Sequence, residues 1–284
     1  MTIETLSEHT CFGGVQGFYR HDSTAISLPM KFSVYRPPQA LAAPVPVLFY
    51  LAGLTCSEET FMVKAHAQRA AARHGIMLVS PDTSPRDTGI ADADRDWDFG
   101  HGAGFYLDAA REPWSQHFRM YDYVVNELRE LIVDAFPARS DRIGIFGHSM
   151  GGHGALVLAL RNPKIYRSVS AFAPVCAPMQ CPWGTKAFSG YLGEDRKLWE
   201  PYDATALVEQ GARTAGGAPI LIHQGLSDRF LAEQLHPYLF EAACRAAGQP
   251  LTLHREAGYD HSYYFISTFI EDHISHHAQQ LLAS

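Results

Sequence analysis

Short apolar runs recur along the chain and alternate with stretches in which apolar residues follow helical spacing. Segments of strand length predict strands at Val47–Leu51, Ile76–Ser80, Arg142–Phe146, Ser168–Ala173, Pro219–His223 and Leu251–Glu256. The apolar runs at Val47–Leu51 and Arg142–Phe146 are typical of buried strands. The helical spacing predicts helices over residues 57–74, 121–135, 153–161, 231–246 and 262–282. Because strands alternate with helices, the pattern predicts an α/β fold with a mostly parallel sheet and helices on both faces.

Three regions depart from this alternation. Residues 10–35 alternate polar and apolar positions and predict antiparallel strands. Residues 83–116 and 176–200 lack periodicity and are predicted to be irregular insertions. The first is rich in aromatic side chains, which argues against disorder, and a connection of this length inside a compact domain is usually functional.

Composition narrows the function classes. The 284 residues carry a formal charge of -7, which argues against nucleic acid and anionic membranes as partners. No apolar run has transmembrane length, and residues 1–10 lack the pattern of a secretory signal. Five dispersed cysteines predict free thiols in a reducing compartment. We therefore expect a cytoplasmic protein.

The segment Gly147-His148-Ser149-Met150-Gly151 fits the G-x-S-x-G pattern between a predicted strand and a predicted helix. In this setting the serine occupies a strained turn that exposes its hydroxyl above the sheet. Side chains at Gly147 and Gly151 would collide with the neighbouring strand and helix. The alternative is a glycine-rich turn with a surface serine. The context favours a nucleophile elbow, and with it a single α/β-hydrolase domain over residues 1–284.

A serine nucleophile needs a base and an orienting acid, which on this fold follow the serine in the order acid, then histidine. His261 follows the last predicted strand and is the predicted base. Asp228 follows the strand before it and is the predicted acid, with a helix cap as its alternative role. Asp260 is the rival acid, but it directly precedes His261, and adjacent side chains diverge. The three histidines at 273, 276 and 277 are expected on a solvated helix face, and no metal site is predicted.

The transition state also needs two amide donors for its oxyanion. The N–H of Met150, behind the serine, is one prediction, and the N–H of Leu54, after an earlier strand, is the other. Cys56 would then lie near the nucleophile, with a buried packing role as its alternative. Trp97 is predicted to form a wall of the substrate pocket, with a core aromatic as its alternative. Lys64 and the segments 86–114 and 183–186 are the remaining candidates for substrate contacts.

Several segments of the chain resemble the S-formylglutathione hydrolase family, also called esterase D. They are Leu51–Cys56, Trp97–Gly100, Gly102–Tyr106, Phe118–Tyr121, Gly147–Ala155, Cys181–Gly184, Ala187–Gly193 and Tyr259–Phe265. Of these, only the elbow is shared with α/β-hydrolases in general. One departure follows Cys56, where the family commonly has Asn-Phe and this chain has Thr60-Phe61.

The resemblance implies a thioester hydrolase with Ser149, Asp228 and His261 as its triad and Leu54 and Met150 as its oxyanion donors. It further implies a cytoplasmic homodimer that needs no cofactor, takes S-formylglutathione as its small-molecule substrate and acts in formaldehyde detoxification. Two alternatives remain open at this point. One is a broad short-chain carboxylesterase or acyltransferase on the same scaffold, and the other is an inactive binding protein.

Overall fold

The computed structural model describes residues 2–283. Within them a nine-stranded sheet has the order β1-β2-β3-β5-β4-β6-β7-β8-β9. The strands are β1 Ile3–Cys11, β2 Gly14–Asp22, β3 Pro29–Arg36, β4 Val45–Leu51, β5 Met77–Pro81, β6 Ala138–His148, β7 Tyr166–Phe172, β8 Ile220–Gly225 and β9 Leu251–Glu256. The first three pair antiparallel, β3 pairs antiparallel with β5, and the remaining pairs are parallel. The predicted fold class is confirmed.

Helices cover both faces of the sheet. The α-helices are α1 Glu58–Lys64, α2 Gln68–His74, α3 Met120–Asp122, α4 Arg129–Ala135, α5 Met150–Arg161, α6 Pro182–Leu192, α7 Ala204–Glu209, α8 Pro237–Ala247 and α9 Tyr263–Leu281. One face is packed by α1, α2 and α9, and the other by α5, with α7 and α8 beside it. All seven residues of the central strand β4 are buried, because both faces of the sheet are covered.

Two helix predictions were wrong in detail. The predicted helix over residues 57–74 is two helices, since His66 between them adopts a left-handed φ of 58° that an α-helix cannot contain. The predicted helix over 231–246 is a π-helical turn, Leu231–Leu235, followed by α8, with His236 at a φ of 47° between the two. A second π-helical turn, Tyr123–Leu128, joins α3 to α4.

Two further predictions were wrong. Residues 176–200 are not irregular throughout, because α6 occupies their centre, with Cys181 as its N-cap and Pro182 at its first position, a favoured start for a helix. His273 and His277 on α9 are buried rather than solvated, and they hydrogen-bond to Ser168 and Ser170 of β7. Their neighbour His276 is partly buried and faces the Val169 carbonyl.

No helix among residues 2–283 combines the length and apolar character needed to cross a membrane.

Candidate active site

Ser149 lies between β6 and α5 in a conformation that few residues adopt. Its φ of 58° and ψ of -121° store strain on the order of 1–3 kcal/mol, which is typical of a functional turn. The turn is possible because its flanking residues are glycines. A Cβ at Gly147 would lie 2.3 Å from the Gly151 carbonyl oxygen, and one at Gly151 would lie 1.9 Å from the Leu51 carbonyl oxygen. The sequence therefore dictates the sharp turn that lifts the serine above β4 and β6.

Ser149, His261 and Asp228 form one hydrogen-bonded array. His261 Nε2 lies 2.9 Å from Ser149 Oγ, and His261 Nδ1 lies 2.5 Å from Asp228 Oδ2. A carboxylate can only accept, so His261 Nδ1–H donates to Asp228 and the neutral Nε2 accepts from the serine hydroxyl. This is the protonation pattern that a general base for Ser149 requires.

Asp228 also caps the turn that follows it. Its second oxygen, Oδ1, accepts from the Phe230 N–H at 2.9 Å, so the cap weighed as its alternative role is present beside the contact with His261. Gln224 Nε2 donates to Oδ2 at 3.4 Å. The side chain is thus fixed at both oxygens and buried, which orients it toward the imidazole.

The rival Asp260 points elsewhere. Its Oδ1 accepts from the N–H and the hydroxyl of Ser262, at 3.0 and 2.6 Å, and these bonds lower the pKa of the Asp260 carboxyl. The loops that carry Asp228 and His261 are tied together by backbone bonds, from Leu226 N–H to the Glu256 carbonyl and from Ser227 N–H to the Tyr259 carbonyl. Strand pairing of β8 with β9 therefore sets the distance between acid and base.

The segment after β4 lies beside the elbow. A Cβ at Gly53 would lie 3.2 Å from Ser149 Cβ, so this backbone approaches the serine closely. Within residues 2–283, neither the Leu54 N–H nor the Met150 N–H donates a hydrogen bond to the protein. For Met150 the reason is its place at the start of α5, where amides have no intrahelical acceptor. Both amides are thus available to an anionic oxygen.

The irregular region 83–116 fixes this segment in place. Tyr106 Oη donates to the Ala52 carbonyl at 2.9 Å, and the Thr55 N–H donates to the Gly102 carbonyl at 2.9 Å. Arg86 bridges Asp82 and the Cys56 carbonyl. The long insertion is therefore ordered and positions the backbone next to the serine.

A cavity of about 360 Å³ opens above Ser149, within the size range of small-molecule sites. Its walls include the predicted residues Leu54, Cys56, Lys64, Trp97 and Trp183. Trp97 is 54% exposed, which excludes the alternative of a core aromatic, and its ring meets Trp183 edge-on with centroids 5.7 Å apart. Arg86 and Lys186 do not line the cavity, because each is held in an ion pair with aspartates.

Sequence reasoning missed several further lining residues, among them His148, Arg229, Phe230 and Tyr263. Arg229 and Phe230 directly follow the predicted acid, and Tyr263 lies two residues after the predicted base, so proximity in sequence was an available signal. Among the described residues neither Lys64 nor Arg229 forms an ion pair, so the cavity carries two uncompensated cations.

His148, set aside as a base, lies directly against His261, with ring centroids 4.4 Å apart. Within the described chain it makes no hydrogen bond to Ser149, and its Nε2 is buried without a partner. Burial, with a smaller contribution from the charge of His261, holds the pKa of His148 well below its usual range. His148 is therefore a neutral wall of the site.

The fold and this array define a serine hydrolase of the α/β-hydrolase class. A family model described as "Putative esterase" matches residues 23–276. An S-formylglutathione hydrolase from Rattus norvegicus is 52% identical over 284 residues, covering all of both chains. The chain belongs to the S-formylglutathione hydrolase family.

Solved structures agree with this assignment. An S-formylglutathione hydrolase from Agrobacterium tumefaciens shares 49% identity and superposes with a TM-score of 0.95, covering 98% of this chain and 99% of that one. A fluorophosphonate-binding serine hydrolase from Staphylococcus aureus has a TM-score of 0.74 at 20% identity, with 93% and 98% covered, and shares the fold.

Cys56 allows a test of the cavity that is independent of the serine. Iodoacetamide should inactivate the protein by filling the cavity, and Cys56→Ser should stay active and resist the reagent. Burial raises the pKa of the Cys56 thiol, so inactivation should be slow at pH 7 and should accelerate as the pH rises toward 9, because the thiolate is the reacting species.

Cys11 provides the control for this alkylation. It is the other partly exposed cysteine of the described chain and lies on β1, outside the cavity. Cys11→Ser should therefore keep full sensitivity to iodoacetamide, with residual esterase activity as the measurement. Full activity of a wild-type chain alkylated at Cys56 would contradict the placement.

Proposed function

We propose that this protein hydrolyses S-formylglutathione to glutathione and formate, with Ser149 as nucleophile, His261 as general base and acid, and Asp228 as the orienting acid. The observation that carries this proposal is the Ser149–His261–Asp228 array at the base of a cavity lined by two cations that form no ion pair within residues 2–283. The family's activity supplies the substrate. That residues 1–284 form a single domain stays a prediction.

The first half-reaction forms a formyl-enzyme. Ser149 Oγ attacks the formyl carbonyl carbon while its proton moves to His261 Nε2, and the positive imidazolium is stabilised by Asp228. The Leu54 and Met150 amides receive the tetrahedral oxyanion. The C–S bond then breaks, and His261 returns the proton to the glutathione sulfur. Because the pKa of a thiol is about 8.5, the sulfur of glutathione is a better leaving group than the oxygen of an alcohol.

The second half-reaction consumes water. His261 takes a proton from a water molecule as that water attacks the formyl ester of Ser149. The resulting tetrahedral intermediate collapses to formic acid, which ionises to formate, and His261 returns its proton to Ser149 Oγ. The array is thereby restored without an external redox partner or metal.

The cavity charge fits the leaving group. Glutathione carries two carboxylates, whereas the chain has a net charge of -7, so binding must depend on local cations. Lys64 and Arg229 supply them at the mouth of the cavity, where Lys64 Nζ lies 5.8 Å from the Tyr263 ring centroid and the Arg229 guanidinium lies 4.6 Å from that of Phe230.

A comparison of substrates tests the proposal. S-formylglutathione should be hydrolysed faster than S-acetylglutathione, and longer acyl chains should react more slowly still. The order should be graded, because one methylene changes discrimination by only about 1–3 kcal/mol. Steady-state kcat/KM values measure it. Fastest turnover of long-chain esters would instead favour the general carboxylesterase.

The same assay distinguishes recognition of the glutathione leaving group from recognition of the acyl group. The double variant Lys64→Gln, Arg229→Gln should raise KM for S-formylglutathione at least several-fold while leaving hydrolysis of an uncharged aryl acetate close to that of the wild type. Lys197→Gln, on an exposed turn outside the cavity, is the matched control. An equal loss on both substrates would show that the two cations do not recognise glutathione.

Cytoplasmic location and a homodimer are also part of the proposal. The support is the family resemblance, together with five free cysteines and no disulfide among the described residues.

A further inference from the structure

A cluster of potential metal ligands lies on β8 and the edge strand β9, away from the cavity above Ser149. His223 on β8 and His254 on β9 are direct register partners, and Glu256 is two residues further along β9 on the same face. One ligand atom from each of the three lies within 4.8 Å of the others. We call His223, His254 and Glu256 the edge cluster.

We propose that the edge cluster binds a divalent transition-metal ion of the Zn²⁺ type, through two imidazole nitrogens and one carboxylate oxygen. Imidazole nitrogens and carboxylate oxygens are among the ligands that Zn²⁺ takes from proteins. Ligand atoms of a tetrahedral Zn²⁺ lie about 3.3 Å apart, as follows from Zn–ligand bonds near 2.0–2.2 Å. Glu256 is half-buried. His254 is exposed and stacks on His223 with ring centroids 4.6 Å apart, so its side chain has to turn out of the stack to direct a ring nitrogen to the ion.

The local charges favour a cation. His223 Nε2 lies 3.6 Å from Glu256 Oε1 and 3.8 Å from Asp272 Oδ2, both beyond hydrogen-bond distance. Among residues 2–283 no lysine or arginine forms an ion pair that would compensate these two carboxylates. A divalent ion on Nε2 would do so, and the exposed Asp272 can rotate to supply a fourth ligand.

The buried side of His223 has the hydrogen bonding that a metal ligand needs. Its Nδ1 lies 3.0 Å from His273 Nε2, and the chain continues from His273 Nδ1 to Ser170 Oγ at 2.8 Å and from Ser170 Oγ to His277 Nε2 at 2.8 Å. With the ion on Nε2, the proton of His223 is fixed on Nδ1 and donates to His273. Such outer partners orient ligating imidazoles and typically change metal affinity 10- to 100-fold.

The ion would act as a clamp rather than in catalysis. It would join β8 to the edge strand β9, and through Asp272 to α9. The cluster lines a separate surface groove of about 380 Å³, and no residue of that groove lines the cavity above Ser149. The expected effect is therefore on stability, because a ligand that binds only the folded state raises the melting temperature.

The test uses the full-length protein after treatment with a chelator. Titration with Co²⁺ should give visible absorption bands without a near-ultraviolet sulfur-to-metal band, and Zn²⁺ should displace the Co²⁺ at one ion per chain. Zn²⁺ should also raise the melting temperature. A sulfur-to-metal band would place the ion on a cysteine and overturn the proposal, as would the absence of any binding.

Two variants locate the site. His254→Ala and Glu256→Gln, both at partly or fully exposed positions, should each weaken Zn²⁺ binding at least tenfold and abolish the rise in melting temperature. His9→Ala is the matched control, because His9 is an exposed histidine on β1, the opposite edge strand. It should bind Zn²⁺ like the wild type. Unchanged binding in both cluster variants, or an equal loss in His9→Ala, would overturn the proposal.

Discussion

Ser149→Ala should lose fluorophosphonate labelling completely and lower kcat for S-formylglutathione on the order of 10⁴-fold or more. A loss of this size is expected because, once the nucleophile of a serine triad is removed, only the oxyanion donors and substrate binding still accelerate the reaction. Alanine keeps the Cβ atom that already occupies the strained turn, so the elbow should keep its shape and the melting temperature should change little.

Ser189→Ala is the control for this experiment. Ser189 lies on α6, and its hydroxyl donates to the Lys186 carbonyl rather than to a histidine. Its labelling and turnover should match those of the wild type. A purified Ser149→Ala protein that still turned over substrate at a comparable rate would show that another group is the nucleophile.

The elbow shows why part of the site could be predicted from the sequence. Gly147, Ser149 and Gly151 form a local pattern whose backbone strain and close contacts follow from residue type alone. The order of the strands, together with the apolar runs, then placed Asp228 and His261 on neighbouring loops. The structure brings these side chains into one hydrogen-bonded array, and their catalytic roles remain to be tested by substitution.

Other features depend on tertiary contacts that no local pattern reveals. The histidines of α9 have helical spacing typical of a solvated face, yet the serines of β7 provide buried partners for His273 and His277. The interruption between α1 and α2 at His66 could not be predicted, because no glycine or proline marks it in the sequence. α6 was missed for a different reason, because its proline start and two internal glycines resemble a loop.

The cations of the cavity show the same limit. Arg86, Lys64 and Arg229 have similar charge in the sequence, but only the structure separates them. Arg86 forms an ion pair with Asp82, whereas Lys64 and Arg229 line the cavity and form no ion pair among the described residues. A cationic side chain can bind a substrate carboxylate only if it is not already in an ion pair, and ion pairing is a property of the folded chain.

Asp228→Asn should lower kcat on the order of 10⁴-fold while the protein stays folded. The carboxylate oxygen Oδ1 accepts from the Phe230 N–H, so an asparagine would keep its carbonyl oxygen at that position and turn its NH₂ group toward His261. The amide can only donate to His261 Nδ1, which forces the imidazole proton onto Nε2. In that tautomer the ring cannot accept the proton of Ser149, which is the established reason for losses of this size in other serine triads.

Asp260→Asn provides the comparison that distinguishes the two acids. Asp260 bonds to Ser262 at the start of α9 and has no bond to His261 among the described residues, so its variant should keep turnover within a few-fold of the wild type. Both proteins should be assayed at the same pH, with melting temperatures as the check on folding. A larger loss in Asp260→Asn than in Asp228→Asn would assign the orienting carboxylate to Asp260 and would require the two loops to rearrange when substrate binds.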